Sequence, residues 1–177
     1  MPNFIRLYQH NIDSPVGTIR ILASEQHLYA ILWQHESSGR ALTDLIHTNQ
    51  AQYGDAMLQD IPTPAKNILD STQQQLLEYF QKQRQIFDIP MQFVGTDFQI
   101  QVWQQLQQIA YGETCSYMDI ANRLNNPKAI RAVGVAIGKN PISIMVPCHR
   151  VIGKDGSLTG FAGGLDRKQY LLDVEKL

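Results

Sequence analysis

An apolar run of Ile142, Ile144, Met145 and Val146 leads into Pro147-Cys148-His149-Arg150-Val151, placing a thiol, an imidazole and a guanidinium in consecutive positions. The thiolate is the reactive form of cysteine, and nearby positive charge lowers the thiol pKa. The chemistry this stretch could do is therefore nucleophilic attack by Cys148. A cysteine closing a strand is usually an inert small hydrophobe. A core strand does not continue into His-Arg, however, because an unpaired buried Arg is costly. The apolar pattern breaks at the thiol, which marks a pocket edge.

A thiolate needs a base, and the base needs an orienting partner. His149 adjoins Cys148, but neighbours on an extended chain point to opposite sides. Direct contact and a bridging water both remain open. The carboxylate must come from elsewhere, and spacing selects none.

The elements that must position these residues can be read in chain order. Residues 4–34 carry a β pattern: Ile19, Ile21 and Ala23 alternate, residues 28–33 form a second apolar run, and Asp13-Ser14-Pro15-Val16-Gly17 holds turn residues. A three-stranded meander is expected. Residues 39–50 fit a helix through Leu42, Leu45 and Ile46, and residues 51–62 a loop with a short strand. Thr63-Pro64 opens a helix with Thr63 as N-cap and an apolar face of Leu69, Leu76, Leu77 and Phe80. Residues 85–94 read as an extended connector, placing a domain boundary near Met91, between domains 1–91 and 92–177.

Thr96-Asp97-Phe98-Gln99 has the capping-box pattern, and the helix behind it spaces Phe98, Val102, Leu106 and Ile109 by three and four until Gly112. Ser116 caps a short helix with Ile120, Ala121 and Leu124. Asn126-Pro127 starts the next helix, with Ile130, Val133, Gly134 and Ile137 inward and Gly138 at its end. Two short helices across a tight polar turn make a helix-turn-helix candidate, with Lys128 and Arg131 on the outer face of the second. Five glycines in residues 153–164 give a loop whose backbone can approach a ligand, although P-loop spacing is absent. Asp166 caps a last helix that carries Leu171, Leu172, Val174 and Glu175.

Composition bounds the function. The chain has 177 residues, is 44% hydrophobic and 18% charged, and carries a net charge of −1, so it can bury a core. Two cysteines, Cys115 and Cys148, make no disulfide scaffold and have no zinc-ligand spacing. A free reactive thiol suits a reducing compartment. No signal-peptide pattern and no membrane-length apolar run is present, so the expectation is a cytoplasmic protein without a membrane role. Arg123, Lys128, Arg131, Lys139, Arg150 and Lys154 fall in a stretch with no acidic residue. That is either a basic footprint for a polyphosphate or a solvated face.

Pro147-Cys148-His149-Arg150-Val151 resembles the acceptor-cysteine motif of the O6-alkylguanine-DNA alkyltransferases. The resemblance covers residues 92–177 through several motifs in order; residues 1–91 match only through Ser14-Pro15-Val16-Gly17. It implies an α/β protein: a small ribonuclease-H-like sheet domain, then a mainly helical, winged-helix-like domain with the helix-turn-helix. By resemblance, Leu171-Leu172-Asp173-Val174-Glu175 supplies Glu175 to a Cys–water–His–Glu network, and Asn140 is a hinge before the active-site strand. Ser116-Tyr117 supplies Tyr117, which meets a DNA phosphate and the flipped guanine. Asn126 to Gly134 matches the recognition helix, where Lys128 and Ala129 face DNA and Arg131 fills the stack left by the extruded base. Arg150, in the basic stretch, is expected at the DNA too.

The implied function is single-turnover transfer of the alkyl group of O6-alkylguanine to Cys148, with O4-alkylthymine left open. The implied partner is alkylated double-stranded DNA, met by a monomer through the minor groove. The zinc-binding residues of some members have no counterpart here, so neither a metal nor a cofactor is expected, and neither is a fused regulatory domain. Cys115 is expected to be a packing residue; His10, His27, His35 and His47 are scattered. The alternatives are a non-enzymatic helix-turn-helix DNA-binding protein and a thiol hydrolase. The hydrolase needs its Cys–His pair from distant segments, which adjacent Cys148-His149 does not provide.

Overall fold

The computed structural model describes residues 5–33, 51–53 and 61–176. The helix expected over 39–50, and with it His35 and His47, lies outside the described residues. The chain divides into two compact units, Met1–Val94 and Gly95–Leu177.

In the first unit, β1 (Ile5–Ile12), β2 (Ile19–Ala23) and β3 (Leu28–Trp33) form the expected antiparallel meander. Gly17, at φ 96°, closes the first turn, its N–H donating to the Ser14 carbonyl; glycine adopts such a φ without a Cβ clash. A short β4 (Ala51–Tyr53) adds in parallel beside β1, giving the order β3-β2-β1-β4. The extended connector is tied to this sheet: Leu28 N–H donates to Pro90 O, and Gln92 N–H donates to Leu28 O. The unit therefore runs on to Val94.

Helix α1 (Thr63–Phe80) packs on β1 and β2. Its N-cap is Pro62, and Thr63 is already helical and makes no capping bond, contrary to the expected cap. Its buried face is Ala65, Leu69, Thr72, Leu76 and Tyr79, a strict four-three-four-three spacing. Leu77 sits one residue off that stripe and is exposed. A 3.6-residue period leaves no room for both Leu76 and Leu77 inside.

In the second unit, α2 (Asp97–Leu106) starts with the expected reciprocal capping box of Thr96 and Gln99. Phe98 is half-buried; Val102, Trp103 and Leu106 form the inner face, and Trp103 Nε1 donates to Ala136 O at 2.8 Å. The helix ends at Leu106, six residues before the expected stop. The short strand β5 (Cys115–Ser116) pairs in parallel with β6 (Val151–Ile152). Ser116 caps α3 (Tyr117–Arg123) through a capping box with Asp119. Asn125, at φ 54°, makes the turn; a 3-10 turn, Pro127–Ala129, then leads into α4 (Ile130–Gly138). Helices α3 and α4 pack together as the helix-turn-helix. The last helix, α5 (Leu165–Val174), is N-capped by Gly164 at φ 89° and not by Asp166, which lies in its first turn and favours the helix dipole there.

Candidate active site

The apolar run before Cys148 is not a strand. Met145 N–H donates to Ser143 O and Val146 N–H to Ile142 O, folding residues 142–146 into a buried turn. Ile144 sits there at φ 72°, a left-handed conformation that a β-branched residue adopts only at a cost of about 1–3 kcal/mol. Asn140 holds the turn from within. Its Nδ2 donates to Val146 O at 2.8 Å and its Oδ1 accepts from Ile142 N–H at 3.0 Å. The position expected as a hinge before a strand is thus a clamp across a turn. Its effect is to deliver Cys148 on the 3-10 turn Cys148–Arg150, where the chain bends and the extended-chain argument for opposite side-chain directions does not apply.

Cys148 is 6% exposed, His149 0% and Glu175 1%, so the group is closed off from solvent. His149 Nε2 lies 2.7 Å from Glu175 Oε1. Among the described residues His149 Nδ1 is buried without a hydrogen-bond partner. Burial lowers the His149 pKa; the Glu175 bond and charge oppose this, while Arg150 and Lys168 reinforce it. Burial alone would raise the Glu175 pKa, but hydrogen bonds from His149 and Arg150 outweigh it and bring the carboxyl down to about 2. Burial disfavours the imidazolium, and a carboxylate can only accept, so a neutral His149 ring carries its hydrogen on Nε2 and its lone pair on Nδ1.

Arg150 is not at a DNA surface. It is buried, with Nε 2.8 Å from Glu175 Oε2 and Nη2 3.0 Å from Glu175 Oε1, while Nη1 donates to Ile109 O. Its guanidinium also lies over the Tyr111 ring at 5.8 Å. Every face of the fork is occupied inside the protein. This corrects the expectation that Arg150 contacts DNA, and the cost of burying an unpaired Arg is met by Glu175.

Lys168 and Gly112 also join this group, which no motif in the chain indicates. Lys168 is buried, donating from Nζ to Val151 O at 2.6 Å and Thr159 O at 2.8 Å. Burial lowers its pKa, and the charge of Cys148 opposes that shift, so the two groups interact electrostatically. A signal existed: Lys168, Leu171 and Glu175 lie at i, i+3 and i+7 on one helix stripe, an odd place for a lysine. Gly112, read only as a helix stop, has φ 77°, and its N–H donates to Glu175 Oε2 at 3.2 Å. A Cβ there would come within 3.1 Å of the Glu175 carbonyl oxygen. Cys115 is half-buried, and burial raises its thiol pKa, opposed by Arg123 and helped by Asp119.

Away from the buried group, Tyr117 is half-exposed at the start of α3. Its hydroxyl donates to Thr159 O at 3.1 Å and lies 3.2 Å from the Thr159 hydroxyl, tying it to the glycine-rich loop. Gly134 on α4 leaves room for the Tyr117 ring. Arg131 and Lys128 are exposed and Ala129 is half-buried at the start of α4. The basic stretch keeps Arg123, Lys128, Arg131, Lys139 and Lys154 at the surface, exposed or half-buried, once Arg150 is removed from it. Among the described residues no cluster of three or more His, Cys, Asp or Glu could hold a metal ion, and no helix is long and apolar enough to cross a membrane.

Residues 7–93 match the 6-O-methylguanine DNA methyltransferase ribonuclease-like domain, and residues 97–177 match the DNA binding domain of the same family. A methylated-DNA–protein-cysteine methyltransferase of Haemophilus influenzae is 40% identical over 97% of this chain and 87% of its own. One of Mycobacterium tuberculosis is 40% identical over 96% of this chain and 93% of its own. The chain belongs to this family. An inducible methylated-DNA–protein-cysteine methyltransferase of Bacillus subtilis is 55% identical over 102 residues, 58% of this chain and 57% of that protein. The crystal structure of Mycobacterium tuberculosis OGT in complex with DNA superposes with a TM-score of 0.76 at 36% identity, covering 98% of this chain and 92% of that one. The two-domain α/β fold with a ribonuclease-like first domain is therefore that of the family. The activity is direct reversal of DNA alkylation, the alkyl group passing to a cysteine of the protein itself.

Proposed function

We propose that Cys148 is the acceptor and that His149 and Glu175 prepare it. The observation that carries this reading is the His149–Glu175 hydrogen bond of 2.7 Å, made on the same turn as Cys148 and leaving Nδ1 as the free buried acceptor. The Cys148 proton passes to His149 Nδ1, directly or through one water. The sulfur forms a bond to the alkyl carbon while the carbon–O6 bond breaks, and the guanine leaves with the electron pair. A proton reaches the guanine from Tyr117 or water; Tyr117 must first release Thr159 to donate it. The product is a thioether that no neighbouring group cleaves, so each chain acts once. We place the protein in the cytoplasm, working as a monomer on alkylated double-stranded DNA, because a reactive thiol outside any disulfide survives in a reducing compartment.

The test is mass spectrometry after incubation with duplex DNA containing O6-methylguanine. One methyl per chain, on a peptide containing Cys148 and not Cys115, is expected; the methyl on any other residue would sink the proposal.

An O6-alkylated base inside the stack is out of reach, so the nucleotide flips out. The helix-turn-helix enters the minor groove, as the family resemblance implies, with Arg131 filling the vacated stack and Lys128 and Ala129 beside the backbone. Arg131 is exposed. Arg131→Ala should therefore slow repair of duplex DNA more than reaction with free O6-alkylguanine, since unstacking costs roughly a few kcal/mol. Equal slowing on both substrates, measured as second-order rate constants, would remove Arg131 from that role.

Binding to undamaged DNA should be nearly blind to sequence but sensitive to salt. If about three of the five surface cations reach phosphates, log affinity should fall against log salt with a slope of about −3. Fluorescence anisotropy across a salt series measures this. A strong preference for one undamaged operator would favour a regulatory binder instead.

A further inference from the structure

We propose that Arg150, with Gly112, clamps the Glu175 carboxylate so that it fixes His149 as a neutral base with its lone pair on Nδ1, which makes Arg150 a positioning residue of the transfer reaction. The inference rests on Cys148 and His149 acting as described above.

An ionised carboxylate offers about four acceptor sites. The donors on Glu175 include His149 Nε2 and Arg150 Nη2 on Oε1, and Arg150 Nε and Gly112 N–H on Oε2. Both oxygens are filled, so the carboxylate has no site left for a proton and cannot act as a proton store. The fork cannot swing away. Arg150 is held a third time by Ile109 O and lies over Tyr111, whose hydroxyl donates to Val174 O.

Charge gives the clamp its consequence. A buried carboxylate alone beside a buried imidazole favours imidazolium by roughly one to three pH units. An imidazolium locked to Glu175 cannot take the Cys148 proton. Arg150 cancels the Glu175 charge as seen from His149, so burial prevails and the ring stays neutral. The groups facing this pair are Glu175 and Lys168 from the α5 end of the fold, Tyr111 from the segment after α2, and Cys148 and Arg150 from the 3-10 turn itself. Glu175 thus serves orientation, and Arg150 keeps that orientation from becoming protonation. In the proton step, the Cys148 S–H bond breaks and a bond to hydrogen forms at Nδ1. The sulfur keeps the electron pair for the alkyl carbon.

Long-range proton–nitrogen NMR of the imidazoles reads both tautomer and titration. In the parent protein His149 is expected neutral, with hydrogen on Nε2, throughout the folded range near neutral pH. In Arg150→Met the His149 midpoint should rise by roughly one to three pH units, and the acidic limb of the single-turnover rate should move with it. In Arg150→Met combined with Glu175→Gln the midpoint should fall again, which a merely structural Arg150 would not produce. Arg150→Lys keeps the charge but loses the fork, so its rate should fall without a change in profile shape. An imidazolium or an Nδ1–H tautomer in the parent at neutral pH would overturn the proposal whether or not the Met variant folds. A folded Arg150→Met protein with unchanged His149 titration would do the same. Methylation of Cys148 is read by mass in the same parent sample, so failure of the acceptor reading is seen separately.

Discussion

A Cys148→Ala protein should transfer no alkyl group to itself, while Cys115→Ala should keep the parent rate. Both residues are thiols in the same unit, and each lies beside a basic side chain, so neighbouring charge alone does not choose between them. Their surroundings do. Cys115 belongs to β5, paired with β6, and burial raises its pKa with only Arg123 opposing. A thiol held protonated is a poor nucleophile near neutral pH. Cys148 adjoins His149, whose buried Nδ1 has no hydrogen-bond partner among the described residues, and interacts electrostatically with buried Lys168, so the proposed reading gives it both an acceptor for its proton and a cation for its charge. Removal of the sulfur leaves nothing to form the thioether, so the loss should be complete. Removal of the Cys115 sulfur should cost about 1 kcal/mol of stability at most. Methyl transfer counted by mass in the two variants decides it, and residual transfer by Cys148→Ala is the outcome that defeats the assignment.

Glu175→Gln should be the second most damaging change, in two separable ways. The first is stability. The substitution leaves the buried Arg150 without an anion, and breaking one partner of a buried pair costs roughly 3–5 kcal/mol. The loss should also change the acid response. The Glu175 carboxyl is brought from 4.5 to about 2 in the folded chain, a depressed pKa. Its stabilisation is therefore present above pH 4.5 and lost as pH falls toward 2. His149 adds in the same direction: its folded pKa is below 6.5, so protonation favours the unfolded chain as pH falls below that value. Urea unfolding against pH should show the parent losing stability in acid, beginning below about pH 6.5, and Glu175→Gln losing far less below pH 4.5.

The second effect is on rate. An amide in place of the carboxylate no longer fixes the His149 tautomer, so less thiolate forms near neutral pH. The defect should shrink at high pH, where a cysteine with an ordinary pKa of about 8.5 ionises unaided. Single-turnover rates against pH separate the cases. A deficit that stays constant to high pH would mean that Glu175 supports the fold and does not prepare the thiol. No deficit at any pH would remove it from the chemistry.

Features that depend on near neighbours and on residue type can be read directly from the chain. The capping box at Thr96 and the cap at Ser116 were legible because donor and acceptor are three residues apart. The meander was legible because alternation and the 13–17 turn are local. Cys148 stood out because an apolar run breaks into His and Arg, and the family motifs pointed to His149, Glu175, Asn140, Tyr117 and Arg131. What those residues touch depends on packing between segments far apart in the chain. An apolar run reads the same in a strand or a buried turn, so only the Asn140 clamp and the φ of Ile144 reveal the turn that presents the thiol. Arg150 and Glu175 are 25 positions apart and Gly112 and Glu175 are 63 apart, separations over which periodicity carries no information. Arg150 has the charge of a DNA contact but is the counter-ion of the Glu175 carboxylate, because the fold buries that anion with the guanidinium beside it.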